Sequence, residues 1–192
     1  MITRNNSKKT KGTRAQSSSA RAEEKDFSQE IVDIARVTRV MAGGKRMRFR
    51  ASVIVGDRRG KVGTAVAKGA DVTLAVNKAV KKARKNLISV PIVNETIPHR
   101  VDVKSGAAKI LIKPAPKGTG IIAGGAVRMV LDLAGVSNVV AKILGSKNKI
   151  NNVNATIKAL KMLKRVEPKK SAEDEKKIKA DKTAEAQKEK SE

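Results

Sequence analysis

The sequence predicts an α+β chain of two small units. Three observations carry that expectation: three short apolar segments followed by a basic amphipathic helix, a proline-bounded break, and a second mixed run around a glycine-rich loop. At 192 residues the chain holds one large domain or two small ones plus tails.

The first unit is read as strand, strand, strand, helix. Met47, Phe49, Ala51, Val53 and Val55 alternate with Arg48, Arg50, Ser52 and Ile54, close to the period of two of a half-buried strand. Arg48 and Arg50 are therefore expected together on its outer face. The apolar stretch from Ile34 to Met41 meets this strand across Ala42-Gly43-Gly44-Lys45, a glycine-bearing hairpin turn. Gly56-Asp57-Arg58-Arg59-Gly60 supplies the next turn, and Lys61 to Ala67 the third strand. Asp71 is expected to cap a helix, because Val72, Ala75, Val76, Ala79, Val80, Ala83 and Leu87 recur at helical spacing. That spacing leaves Lys78, Lys81, Lys82, Arg84 and Lys85 mostly on the open surface.

Ser89 to Pro98, with prolines at 91 and 98, interrupts the pattern and marks a junction. Strands are expected near Arg100 to Val103 and Ala108 to Lys113, then the glycine loop and a helix from about Gly125 to Leu133. A strand near Asn138 to Leu144 and a last helix from Asn151 or Asn152 complete the unit, with Val153, Ile157, Leu160 and Leu163 as the buried stripe. The expected boundaries are a disordered basic tail over 1–26, a first domain over 27–90, a junction over 91–98, a second domain over 99–166 and a disordered Lys/Glu-rich tail over 167–192.

Charge narrows the function. The chain has 43 Lys and Arg against 18 Asp and Glu, a formal net charge of +25. Residues 29–98 carry 15 basic residues against five acids and 99–166 carry 13 against two, so the excess lies in the two units rather than the tails. Such self-repulsion calls for a polyanion, and nucleic acid is the commonest one. Phe27 and Phe49 are the only aromatics, which disfavours stacked-base platforms and favours reading of backbone and shape. No apolar run approaches the roughly 18 residues of a spanning helix, and a membrane partner is not expected. Without cysteine there is no thiolate metal site or cysteine nucleophile, and His99 as sole imidazole excludes a multi-histidine metal site. No cofactor is expected.

The loop Gly118-Thr-Gly-Ile-Ile-Ala-Gly-Gly-Ala-Val-Arg128 invites a phosphate-loop reading that its spacing does not meet. Gly120 and Gly125 have the Walker A separation, but Ala126 stands where lysine is needed; the dinucleotide fingerprint fails because its third glycine falls at 124, one position late. Two readings remain: a turn with close helix packing, or that packing plus an RNA or protein contact, with Arg128 projecting from the first turn of the helix. Arg36, Arg39, Lys45, Arg46, Arg48 and Arg50 gather around one hairpin, either to neutralise several phosphates together or as a solvated edge that discourages aggregation. His99 is read as a surface or backbone-bonded histidine, and Asp132 as a local salt bridge or helix-surface charge.

Four blocks in order then resemble a known family: Arg36 to Phe49, Val55 to Gly63, Lys81 to Asn86 and Gly118 to Arg128, with further matches at Ala134 to Val139, Gly145, Ser146 and Asn148. Over roughly residues 27 to 165 the chain resembles the bacterial form of the small-subunit ribosomal protein five family. The resemblance implies a first domain similar to a double-stranded-RNA-binding domain, a three-stranded antiparallel sheet plus helix, and a second, two-layer α+β domain. It implies a non-enzymatic constituent of the small ribosomal subunit in the cytoplasm. Such a protein links head and body through ribosomal RNA, touches ribosomal proteins four and eight, and contributes to translational accuracy. The RNA-binding residues expected are Arg36, Arg39, Gly43, Gly44, Lys45, Arg46, Arg48, Arg50, Arg58, Arg59, Lys61, Lys81, Lys82, Arg84 and Lys85. Those expected at a protein interface are Gly118, Gly120, Gly124, Gly125 and Arg128. The alternatives are a free-standing double-stranded-RNA-binding regulator and a small-molecule kinase. The family's second domain resembles kinases with a Pro-x-x-x-Gly-Leu-Gly-Ser-Ser loop, of which only Pro116 and Gly120 fit here.

Overall fold

The computed structural model describes residues 27–164. The tails expected at 1–26 and 167–192 lie outside the described residues, as do Arg165 and Val166. Strands β1 (Ser28–Met41), β2 (Gly44–Gly56), β3 (Lys61–Gly69) and β4 (Ile88–Ser89) form one antiparallel sheet in that order, with helix α1 (Val72–Lys85) between β3 and β4. A second sheet has the order β5 (Val101–Ser105), β6 (Ala108–Pro114), β8 (Val139–Ile143), β7 (Ile121–Ile122), with only β7 and β8 parallel. Helices α2 (Gly125–Ala134) and α3 (Lys149–Lys161) flank β8 in the chain.

Local chemistry explains several of these elements. Asp71 has extended backbone and its carboxylate accepts the Val72 N–H, so α1 starts where an N-cap is expected. The Thr73 hydroxyl, then the Val72 N–H, holds the Asp71 carboxyl below its ordinary range. Lys82, Arg84 and Lys85 stand at the opposite end, where cations complement the exposed carbonyls. On its inner face α1 presents Ala75, Ala79, Val80 and Ala83 to Ala51, Val53, Val55, Ala65 and Ala67, and these small side chains let helix and sheet approach closely.

The alternation in β2 predicts a strand buried on one face only, and the structure departs from that beyond Arg50. Ser52 and Ile54, on the face away from α1, are 1% and 0% exposed. Ile54 joins Val32 and Val62 in a core that also contains Val127, Val130, Leu131 and Leu133 of α2. The reason is α2, which is covered by the first sheet on one side and by its own unit on the other. Accordingly a broad arc of its surface is apolar, with Ala126, Val127, Val130, Leu131, Leu133 and Ala134 buried, while Arg128 and Asp132 stand on the remaining open side. A bulge between Ile31 and Asp33 shifts the β1–β2 register and turns Val32 into that core.

The 91–98 segment, expected as the junction between the units, is packed against the core. Val90 and Ile97 are buried, and Val93 and Thr96 exchange two backbone hydrogen bonds around Asn94 and Glu95, both at positive φ. The last helix begins at Lys149, earlier than the expected Asn151 or Asn152, because Asn148 accepts the Ile150 N–H and caps it. Asn152 is instead buried within the helix. The short strands β4 and β7 have no clear period of their own in the sequence.

A candidate nucleic-acid interface and the loop behind it

Beyond the region covered by α2, the β1–β2 hairpin continues as an exposed arm. Its register places Arg39 opposite Arg46, Val37 opposite Arg48, Ala35 opposite Arg50, and Arg50 opposite Lys68 of β3. Directly opposed residues share a face, so Arg39, Arg46, Arg48, Arg50 and Lys68 lie on the side away from α1. There Val37, Thr38, Arg39, Met41, Arg46, Arg48 and Lys68 line a shallow groove. Arg36 lies opposite Phe49 and Lys45 opposite Val40, on the α1 side. The six cations grouped around the hairpin by sequence are thus divided between two faces.

Arg50 is tied down. Its guanidinium lies 3.6 Å from Asp33, whose other carboxylate oxygen takes the Lys149 ammonium at 3.2 Å. Asp33 joins the first sheet to the start of α3 and partly neutralises both cations. Lys68, Asp33 and Lys149 escaped the sequence reading; Lys68 would have been placed by the parity of Thr64, Val66 and Lys68 once β3 was paired to β2.

Lys78, Lys81, Lys82 and Lys85 are exposed on α1 and Arg84 is half-buried. They occupy the opposite side of the first sheet from the groove, so the two basic sets face opposite directions. Gly43 and Gly44 are exposed at the hairpin tip.

The turn carrying Arg58, Arg59 and Lys61 serves first as a joint between the units. Asp57 accepts the N–H groups of Arg59 and Lys61, each at 2.8 Å. Arg58 adopts φ 56 and donates its N–H to the Leu133 carbonyl, and Gly60 donates to Ala134, so the turn satisfies carbonyls at the end of α2. The Arg58 guanidinium stands 3.5 Å from Asp132, which makes the expected Asp132 ion pair one that crosses between the units. Arg59 and Lys61 remain exposed.

Behind the glycine loop lies Asn138, 4% exposed. Its Oδ1 accepts the N–H groups of Gly118 and Gly120 at 3.0 and 3.2 Å, and its amide nitrogen donates to Glu95. Backbone N–H groups of Ser137 and Asn138 donate to the Glu95 carbonyl, and the Thr96 hydroxyl donates to the Asn138 carbonyl. The loop is thereby fixed to the 91–98 segment. Two amides that a phosphate loop would aim at its ligand point instead at a side chain, which argues against the kinase reading. On the outside, Glu30, Thr119, Gly120, Ile121, Arg128, Met129 and Asp132 line a cleft. Gly118, Gly124 and Gly125 are exposed beside it. Among the described residues no cluster of His, Cys, Asp or Glu is suited to hold a metal ion, and no helix is long and apolar enough to cross a membrane.

Comparison with known proteins agrees with this two-unit organisation. Residues 27–91 match the family model described as ribosomal protein S5, N-terminal domain, and residues 103–174 match ribosomal protein S5, C-terminal domain. The chain is 49% identical over 145 residues to the small ribosomal subunit protein uS5c of Guillardia theta, an alignment covering 75% of this chain and 86% of that protein. Both units in order and this identity over most of the length establish that the chain belongs to the ribosomal protein S5 family, whose members are structural proteins rather than enzymes.

Proposed function

We propose that this chain is a structural constituent of the small ribosomal subunit that holds ribosomal RNA chiefly on the exposed β1–β2 arm. The observation that carries this reading is the arm itself: Arg39, Arg46, Arg48 and Lys68 converge on one groove beyond the covered half of the sheet. Opposed like charges such as Arg39 and Arg46 destabilise a sheet in isolation, and phosphates lying over both relieve that repulsion. The α1 lysines serve a second RNA segment on the other side. Two units joined through a common core keep the two segments at a fixed separation, which suits a link between the head and body of the subunit.

The cleft of Gly120 and Arg128 fits a protein neighbour, for which the family resemblance supports ribosomal protein four, with ribosomal protein eight as a second contact. A latch there, broken and remade between two subunit states, would couple this protein to translational accuracy. Sedimentation of small subunits through high salt tests the constituent reading. The chain should stay with the subunit in stoichiometric amount, whereas release as free protein would favour a double-stranded-RNA-binding regulator.

A further inference from the structure

We propose that the uncovered face of the second sheet is a separate RNA-binding surface, a lysine platform for phosphates; this rests on the reading of the chain as an rRNA-binding constituent. The core side of the sheet holds Val103, Ile110, Ile112, Val139 and Ala141, packed with α2 and α3. On the other side, Lys104 of β5, Lys109 and Lys113 of β6, and Lys142 of β8 are all exposed.

The strand registers gather these four charges. Lys104 is directly opposite Lys109, and Lys142 is opposite Leu111, diagonal to both Lys109 and Lys113. Direct neighbours in such a lattice are about 5 Å apart and diagonal ones about 7–8 Å. The acid on this face, Asp102, is already engaged by Arg100, whose Nε and terminal nitrogen donate to one carboxylate oxygen at 3.1 and 2.8 Å. Four ammonium groups therefore face solvent on this side of the sheet, beside exposed Val140 and Ile122, with one occupied counter-charge. Compact ammonium charges on flexible stems meet a run of phosphates as point charges, where the arginine fork fixes a single phosphate or carboxylate in a set geometry. A protein segment would bring its negative charge at scattered points, whereas an RNA backbone supplies it at every residue, which matches an array without interspersed free acids.

The test uses the full chain with Lys104→Gln, Lys109→Gln, Lys113→Gln and Lys142→Gln together, titrated against small-subunit rRNA between 50 and 200 mM salt. Removal of four phosphate contacts should lower the slope of log affinity against log salt by about 3, so that the loss of affinity over this range shrinks by roughly 10²-fold. The corresponding four Lys→Arg changes should keep the slope. A slope unchanged in the glutamine variant overturns the proposal. So does unchanged rRNA affinity combined with poor incorporation into subunits, which would assign the face to a protein. Arm substitutions run in parallel separate the two claims: if they too leave affinity unchanged, the rRNA-binding reading fails, and if only the sheet variant does, this platform alone is wrong.

Discussion

Gly135 lies against the carbonyl of Arg58, so close that a β-carbon at position 135 would overlap it, and it holds φ +83. Arg58 is itself at positive φ, with its N–H on the Leu133 carbonyl. Gly56 meets the Leu133 carbonyl in the same way. The two units thus touch backbone to backbone, through glycines that leave no room for a side chain. Left-handed strain and overpacking together should make Gly135→Ala cost roughly 2–5 kcal/mol. Chemical denaturation measures this, and a loss below about 0.5 kcal/mol would mean that the joint yields freely.

Asn138 should act on the glycine loop without contacting any ligand. Asn138→Ala removes the acceptor of two part-buried N–H groups, each worth about 1–3 kcal/mol when left unpaired. Amide exchange at Gly118 and Gly120 should accelerate by at least about tenfold, the factor for each 1.4 kcal/mol of lost protection. Exchange at native rates would show that the loop holds its shape without this residue.

Asp33 restrains two cations, and Asp33→Asn releases them. Because all three partners are at least a quarter exposed, the stability cost should stay below about 1 kcal/mol. Affinity for rRNA at low salt should rise, since Arg50 and Lys149 regain their full charge toward phosphates. A fall in affinity in a normally stable variant would mean that Asp33 positions Arg50 for RNA and does not compete with it.

Arg128 offers a test of the proposed protein contact at the cleft that leaves the backbone alone. Gly120 is a poorer probe, because its φ of +72 strains any side chain placed there. Arg128→Leu should leave subunit assembly intact yet raise misreading of near-cognate codons. A latch weakened by ~1.4 kcal/mol shifts two states about tenfold. Normal error rates in subunits shown to contain the variant protein would remove Arg128 from that role.

What could be read from the chain followed the range of the interactions. The Asp71 cap, the Ala42–Gly43 hairpin and the α1 stripe depend on residues a few positions apart, and each was legible. Burial of Ile54 was not, since it is imposed by α2, more than 70 residues later. The division of Arg36 and Lys45 from Arg39 and Arg46 depends on strand parity around the turn, which becomes visible only with the register. Asn138 falls within the matching block Ala134 to Val139, but its role behind the glycine loop was not legible, because an asparagine before an apolar strand looks like any turn residue. Asn148, Asn151 and Asn152 are all competent caps by residue type, and in the structure Asn148 takes the role by accepting the Ile150 N–H.

The most direct measurement is the salt dependence of rRNA binding by the full chain with Arg39→Gln, Arg46→Gln and Arg48→Gln together. If the groove holds three phosphates, the slope of log affinity against log salt should fall by about 2–3, whatever the RNA sequence, while the fold is retained. A slope equal to that of the unaltered chain would contradict the arm as the principal RNA surface.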